Sequence, residues 1–394
     1  MKKKSKRKIC FIITSFIHYS RNLLILEKLK KRKDVDLHVV IGGAALLAKY
    51  SSRYAHIKES LEKRGFHNLY EAYFNLEGDS GAIKGKTTGL GAIEFVSLFE
   101  RIAPDLVVLR GDRFEVLAAA IAAANMNIPI AHIEGGDRSG SIDESVRHSI
   151  TKLAHIHFPT NEQARKRIIR MGEKKEYVFN FGSPDIEVAH RLLTLKSKSG
   201  VNNIDVLQTG SGARIDLRKN FLMVMYHPVT TEISKISKRT KNLLGAIYEL
   251  NIPTLWFWPN FDAGAEKISN EIRIFNDTVH NHTIRFMRYL PPETFLNLLK
   301  NTSCLVGNSS AGIKECSYMG VPVVDISTRQ NHRLHADNVL YSGSNKLDIK
   351  KAIRTQLANG KYKSSPIYYR NNTSKQIVDV LATIKLYNQK EFRD

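Results

Sequence analysis

PDLVVLRGDRFEVLAAAIAAANMNIPIAHIEGG, residues 104–136, decides the fold. A short β-branched run, Leu106–Leu109, stops at Gly111-Asp112 and gives way to the long alanine-rich segment from Phe114. A second apolar run, Ile130–Ile133, then stops at Glu134-Gly135-Gly136. The runs have strand length and the alanine-rich segment has helix length, so the stretch predicts strand, helix, parallel strand. The same alternation extends both ways. Upstream, KICFIIT and DLHVVIGG read as strands, and SRNLLILEKLKKRK and AIEFVSLFERIA as helices. Downstream, SIDESVRHSITKLA is a helix, HIHFPT a strand, NEQARKRIIRMG a helix and YVFNFGSP a strand. Strands alternating with helices imply a parallel sheet covered on both faces.

Periodicity lapses over LKSKSGVNNIDVLQTGSGARIDLRK and resumes with NFLMVMYHP, IPTLWFWPN, TIRFMRYLP, TSCLVGNSS and VPVVDIS. The length of 394 residues also exceeds one ordinary core. The reading is an α/β chain of two doubly wound, Rossmann-like domains. The first covers residues 1–190, a linker or peripheral hairpin covers 191–218, the second domain covers 219–372, and a helix over 373–394 packs back on the first. Ligands of such folds bind beyond the carboxyl ends of the strands, so an active-site cleft between the domains is expected. Trp256-Phe257-Trp258 alternate along a strand and read as core.

The formal net charge is +22. The lysines are scattered, without an aromatic-interleaved basic motif or zinc-finger spacing, so no nucleic-acid partner is expected. KKKSKRK, residues 2–8, reads as a solvated terminus. Cys10, Cys304 and Cys316 are too few and too dispersed for a disulfide framework or a zinc site. No apolar run is long enough to span a bilayer, and the run after the basic terminus lacks a signal-cleavage pattern. A cytoplasmic location without a membrane partner is expected.

The strand ends carry the chemistry. Asp112 and Arg113 follow one strand, Glu134 the next, and Asp143 falls in the first turn of the following helix. Three carboxylates from separate elements suit acid–base work. Asp143 has a bland alternative: Ser141-Ile142-Asp143-Glu144 fits a capping box, and Asp143 and Arg147 are spaced for a helical ion pair. Glu115 reads as a solvated helix face. In the second domain Ser309 and Ser310 stand where a strand turns into a helix, placing backbone N–H groups for a phosphate; an ordinary serine cap is the alternative. Glu315, one turn on, suits a ribose diol. His227, Asn260, Asp262 and Arg329 also follow strands. No dinucleotide fingerprint or P-loop occurs.

GDRFE, HIEGGDRSGSIDESVRHSITKLAH, YHPVT, PNFDAG and NSSAGIKE together resemble the hydrolysing UDP-N-acetylglucosamine 2-epimerases of sialic acid biosynthesis, and their relatives acting on UDP-2,4-diacetamido-2,4,6-trideoxyglucose in the legionaminic acid route. Non-hydrolysing epimerases read GDT and HVEAG in the equivalent places. The resemblance implies the two-domain glycosyltransferase B architecture, a UDP-sugar substrate, no metal or redox cofactor, and a homo-oligomer, dimer or tetramer. It implies elimination of UDP to a 2-acetamidoglycal, then addition of water. Asp112, Glu134 and Asp143 match the acid–base set. Arg113, His227, Asn260, Asp262, Ser309, Ser310, Glu315 and Arg329 match nucleotide-sugar contacts, and Ser20 and Arg21 join them. The first turn departs from the family's TRADYS: it reads TSFIHYSR, with Phe16 in the arginine's place and His18 or Arg21 as its substitute. No appended kinase domain is expected. The competing readings are a non-hydrolysing 2-epimerase, a UDP-sugar glycosyltransferase and a basic nucleic-acid-binding protein.

Overall fold

The protein is described by a computed structural model covering residues 6–47, 57–194, 210–260, 262–288 and 290–391. Most of the basic run 2–8 and the middle of the segment 191–218 lie outside the described residues. The chain divides into two compact units. Unit 1 comprises Met1–Arg138, Asp143–Glu187 and Arg370–Asp394, and unit 2 comprises Ser139–Ile142 and Val188–Tyr369.

Among the described residues, unit 1 holds six parallel strands: β1 (Arg7–Ile13), β2 (Val35–Gly42), β3 (Leu69–Ala72), β4 (Leu106–Arg110), β5 (Ile130–Ile133) and β6 (Ile156–Phe158). Their order is β3-β2-β1-β4-β5-β6, the doubly wound arrangement. Two-residue periodicity divides each central strand between two cores. Ile9, Phe11, Ile13, Leu106 and Val108 face one core, shared with Ile25, Leu26 and Leu29 of the helix Phe16–Lys30 and with Ile377, Val378 and Leu381 of the helix Thr373–Thr383. Cys10, Ile12, Val107 and Leu109 face the other, covered by the helices Gly81–Ile102 and Phe114–Asn125. The alanines make this second cover close. A Cβ on Gly91 would lie 3.0 Å from the Ala118 Cβ.

Unit 2 holds β7 (Ser211–Gly212), β8 (Leu222–Met225), β9 (Thr254–Phe257), β10 (Ile284–Met287), β11 (Cys304–Gly307), β12 (Val323–Ile326) and β13 (Val339–Ser342). The order is β13-β12-β11-β8-β9-β10-β7, parallel except for β7, which pairs antiparallel with β10. Leu222, Val224, Trp256, Phe286 and Val306 share a core with the helices Ile236–Leu250, Ala265–Thr278 and Lys346–Asn359. Trp256 is a fully buried core residue, as its alternation predicts.

The segment YVFNFGSP is not a strand. It starts on the last residue of a short 3-10 turn, Lys175–Tyr177, and makes one isolated bridge, Val178 to His157. Phe179 and Phe181 pack on Phe158 instead, so aromatic packing accounts for its apolar character. Strands β3 and β13 do not appear in the sequence reading. Their half-exposed patterns lack the continuous apolar run of the central strands.

Asp325, in the middle of β12, is almost fully buried, and its Oδ2 finds no hydrogen-bond partner among the described residues. Burial pushes its carboxyl up to about 8, with the Arg329 guanidinium opposing. Because the folded value is raised, the native state binds more protons than the unfolded chain between about pH 4 and 8. This group therefore costs stability as pH rises through that window. Asp325→Asn is expected to raise the unfolding midpoint at pH 8, by more than about 1 kcal/mol in stability, with the gain shrinking toward pH 4. Thermal unfolding of both proteins across that range checks this. A gain independent of pH would refute the assignment.

Candidate active site

The strand order reverses between β1 and β4 in unit 1 and between β8 and β11 in unit 2, and turns at and beside these switch points hold the candidate residues. In unit 1 these are the turns after β1 and β4. Ser15 caps the helix Phe16–Lys30 by accepting from the His18 N–H at 3.2 Å, which brings the His18 ring back over the turn. Its Nδ1 lies 3.3 Å from Thr14 Oγ1, and a Cβ on Gly111 would meet its Nε2 at 3.3 Å. Gly111 also has φ +79°, a conformation that favours glycine. The buried His132 fixes this turn by donating from Nε2 to the Gly111 carbonyl at 2.8 Å.

The three carboxylates meet through shared partners. Burial, then Arg113 and Arg110, push the His18 imidazole down to about 3, while Asp112 and Glu134 oppose that fall. A neutral His18 therefore stands among two of the carboxylates and two guanidiniums. Asp112 is ion-paired with the buried Arg147, whose Nη1 donates to the Asp137 carbonyl at 2.8 Å. Asp137 and Asp143 also favour the charged Arg147, so the expected Asp143–Arg147 interaction is part of a larger group of carboxylates led by Asp112. Glu134 is held at two points. Its backbone N–H donates to the Phe158 carbonyl at 3.0 Å, and its Oε2 accepts from Arg110 Nε at 3.0 Å. Its φ of +72° is uncommon for a residue with a side chain and marks local strain. Carboxylates fixed in this way suit proton transfer, which needs heavy atoms held at hydrogen-bond reach.

Several residues sit differently from expectation. Glu115 is fully buried rather than solvated, because the Arg113 fork binds it through Nε at 3.0 Å and Nη2 at 2.7 Å. Arg113 is thus paired within its own turn. Arg21 faces the buried Asp185 at 3.5 Å, and His18 is neutral; these are the two residues proposed to replace the missing first-turn arginine. Phe16 packs against the core edge, edge-on to Tyr19 at 5.9 Å. Ser20 bonds the Ile17 carbonyl at 3.1 Å.

In unit 2 the turns after β8 and β11 are stitched together by Asn308. Its Oδ1 accepts from the His227 N–H at 2.7 Å, and its Nδ2 donates to the His227 carbonyl at 2.9 Å. Arg329 and Gln330 donate to the Asn308 carbonyl at 3.2 and 2.9 Å. Gly307, at φ +136°, permits this approach, because a Cβ there would lie 2.1 Å from the Met225 carbonyl oxygen. Asn308 and Gln330 were not singled out in the sequence. Asn308 stands directly before the two serines that were, and its full burial is a tertiary property. The Asn260 N–H donates to His227 Nδ1 at 3.2 Å, so the neutral ring carries its proton on Nε2. Burial, then Arg329, push that imidazole down to about 3 against the pull of Asp262. Asp262 lies 3.5 Å from Arg329.

Ser309 caps a single turn, Ser310–Ile313, its Oγ accepting from the Ala311 N–H at 3.3 Å. The expected continuous helix is broken at Lys314 and resumes at Glu315–Met319. Glu315 is buried, not a surface helix acid. Ser309, Ser310 and Glu315 thus lie on consecutive short turns beside the Asn308 hub.

The family profile described as UDP-N-acetylglucosamine 2-epimerase matches residues 27–382. The chain belongs to this family. It is 33% identical over 383 residues to UDP-N,N'-diacetylbacillosamine 2-epimerase (hydrolyzing) of Legionella pneumophila, with 97% of each chain covered. It is 31% identical over 380 residues to UDP-N-acetylglucosamine 2-epimerase of Neisseria meningitidis serogroup B, with 94% of each covered. Among solved structures, the epimerase of Methanocaldococcus jannaschii in complex with UDP-GlcNAc and UDP superposes with a TM-score of 0.76 at 20% identity. That match covers 95% of this chain and 99% of the other. The epimerase fold is therefore shared, two doubly wound units of the glycosyltransferase B class. No helix among the described residues is long and apolar enough to cross a membrane.

Proposed function

We propose that this epimerase-family enzyme is hydrolysing, releasing UDP and N-acetylmannosamine from UDP-N-acetylglucosamine. The observation that carries the proposal is that Asp112, ion-paired with Arg147, Glu134, bonded to Arg110, and Asp143, opening the helix that bears Arg147, come from successive turns of one sheet and act electrostatically on the shared neighbours His18 and Arg147. One carboxylate takes the C2 proton, the C1–O bond breaks, and its electron pair leaves with UDP, giving a 2-acetamidoglycal. Water then adds, with hydroxyl to C1 and a proton to C2 on the opposite face. Coupled carboxylates share these proton transfers as a group. In unit 2 the proposed nucleotide contacts are His227, Asn260, Asp262, Ser309, Ser310, Glu315 and Arg329. The His227 Nε2–H is a neutral donor suited to a phosphate oxygen, and Glu315 to the ribose diol. In unit 1 Ser20, Arg21 and Arg113 remain proposed contacts, the last two through exchange of their present carboxylate partners.

A second substrate is favoured by one feature of this chain. Phe16, half-buried against Tyr19, puts an apolar residue in the first turn where the resembling family carries an arginine, and the loss of that polar group suits a sugar without a 6-hydroxyl. The hydrolysing Legionella relative is named for such a diacetamido sugar, which supports the same reaction on UDP-2,4-diacetamido-2,4,6-trideoxyglucose.

Both substrates predict UDP release with no acceptor present. The sugar freed in D₂O should carry deuterium at C2, and reaction in ¹⁸O-water should label its C1 hydroxyl. NMR and mass spectrometry of the product from each UDP-sugar read this directly. Release of a UDP-linked epimer would identify the non-hydrolysing reaction, and dependence on an acceptor would identify a glycosyltransferase.

A further inference from the structure

Arg110 ends β4 and is completely buried, yet none of the proposed chemical steps uses it. Its guanidinium is divided among three partners from different elements. Nε donates to Glu134 Oε2 at 3.0 Å, Nη1 to Asn22 Oδ1 at 3.0 Å, and Nη2 to Asp185. Asp185 is buried as well and lies 3.5 Å from Arg21 Nη1. Burial opposes the charge on Arg110, but Asp185 and then Glu134 outweigh it and push its pKa up. A buried guanidinium is tolerated when its donors are filled by carboxylates in good geometry, and a planar fork fixes a carboxylate in orientation as well as charge. Asn22 and Asp185 leave the fork one direction in which to point, and Glu134 lies there.

We propose that Arg110, aimed by Asn22 and Asp185, is the positioning residue that sets the orientation and proton affinity of Glu134. The proposal rests on the reading of Glu134 as part of the acid–base set. Arg110 itself touches no reacting atom. Asp185 competes with Glu134 for the same guanidinium, which gives the arrangement a signature that a plain structural ion pair lacks. Removing Arg110 takes a cation from Glu134, whereas removing the Asp185 charge leaves Arg110 more completely to Glu134. The two changes should move the titration of Glu134 in opposite directions. Among the described residues, the other charged or titratable groups around this turn include His18, Asp112, Arg113, Arg21, His132 and Arg147, all left in place by the test.

The experiment measures UDP release against pH for wild type, Glu134→Gln, Arg110→Gln and Asp185→Asn, with KM and folded fraction recorded for each. The limb of the kcat profile that Glu134→Gln abolishes belongs to Glu134. Arg110→Gln should move that limb to higher pH by about one unit, and Asp185→Asn should move it to lower pH. Arg110→Gln should lower kcat at least about tenfold with KM nearly unchanged, as expected when only a transition-state interaction is lost, and Asp185→Asn should lower kcat while also changing KM, because it releases Arg21. Millimolar guanidinium added to Arg110→Gly should recover part of the loss. If Arg110→Gln does not fold, the shift in Asp185→Asn decides. A limb that stays fixed, or a kcat that falls only with folded fraction, makes Arg110 a structural residue and overturns the proposal. A wild type that releases UDP from no UDP-sugar overturns this proposal and the assigned reaction together, a result distinct from an active wild type with immobile limbs.

Discussion

Glu134→Gln is expected to lower kcat for UDP release by about a hundredfold or more, the scale of a lost general acid or base. Glutamine keeps the shape and can still accept from Arg110 Nε, so the 3.0 Å contact survives while the exchangeable proton site is lost. The change therefore separates chemistry from scaffolding. UDP affinity, proposed to rest mainly on unit 2, should stay within about twofold. Asp112→Asn should show a comparable loss, with a further cost in stability, because it removes the carboxylate that is ion-paired with the buried Arg147. Asp143→Asn tests whether the third member acts chemically or through Arg147 alone. Steady-state kinetics paired with thermal unfolding separates these outcomes. Near-normal turnover in all three would return the carboxylates to a structural role.

Glu315→Gln is expected to produce the second large effect, on binding rather than turnover. A charge-assisted hydrogen bond to a ribose hydroxyl is worth about 1.5–3 kcal/mol, so UDP affinity should fall roughly tenfold or more. The glutamine is isosteric and the site is buried, which keeps packing constant. Calorimetric titration with UDP reads the loss directly, and the Asp112 and Glu134 variants serve as controls that should bind normally. Unchanged affinity in Glu315→Gln would place the ribose contact elsewhere on these short turns.

The sequence alone carried the doubly wound architecture of both units, because buried parallel strands need continuous apolar runs. Leu106–Leu109, Ile130–Ile133 and Leu222–Met225 state that need without help from their neighbours. It also carried the positions of Asp112, Glu134, His227 and Ser309, since each follows such a run at a turn. Edge strands β3 and β13 were less legible, being half solvated and weakly patterned. YVFNFGSP misled for a related reason: apolar periodicity reports burial, and here the burial comes from aromatic stacking on β6 rather than from a ladder. Which charges meet was settled only by tertiary structure. The burial of Glu115 under Arg113, the neutral state of His18, the division of Arg110 among Asn22, Glu134 and Asp185, and the Asn308 hub all join residues remote in sequence or differently buried than their types suggest. Ion pairing and desolvation depend on distance and surroundings in three dimensions, and residue type along one dimension does not encode them.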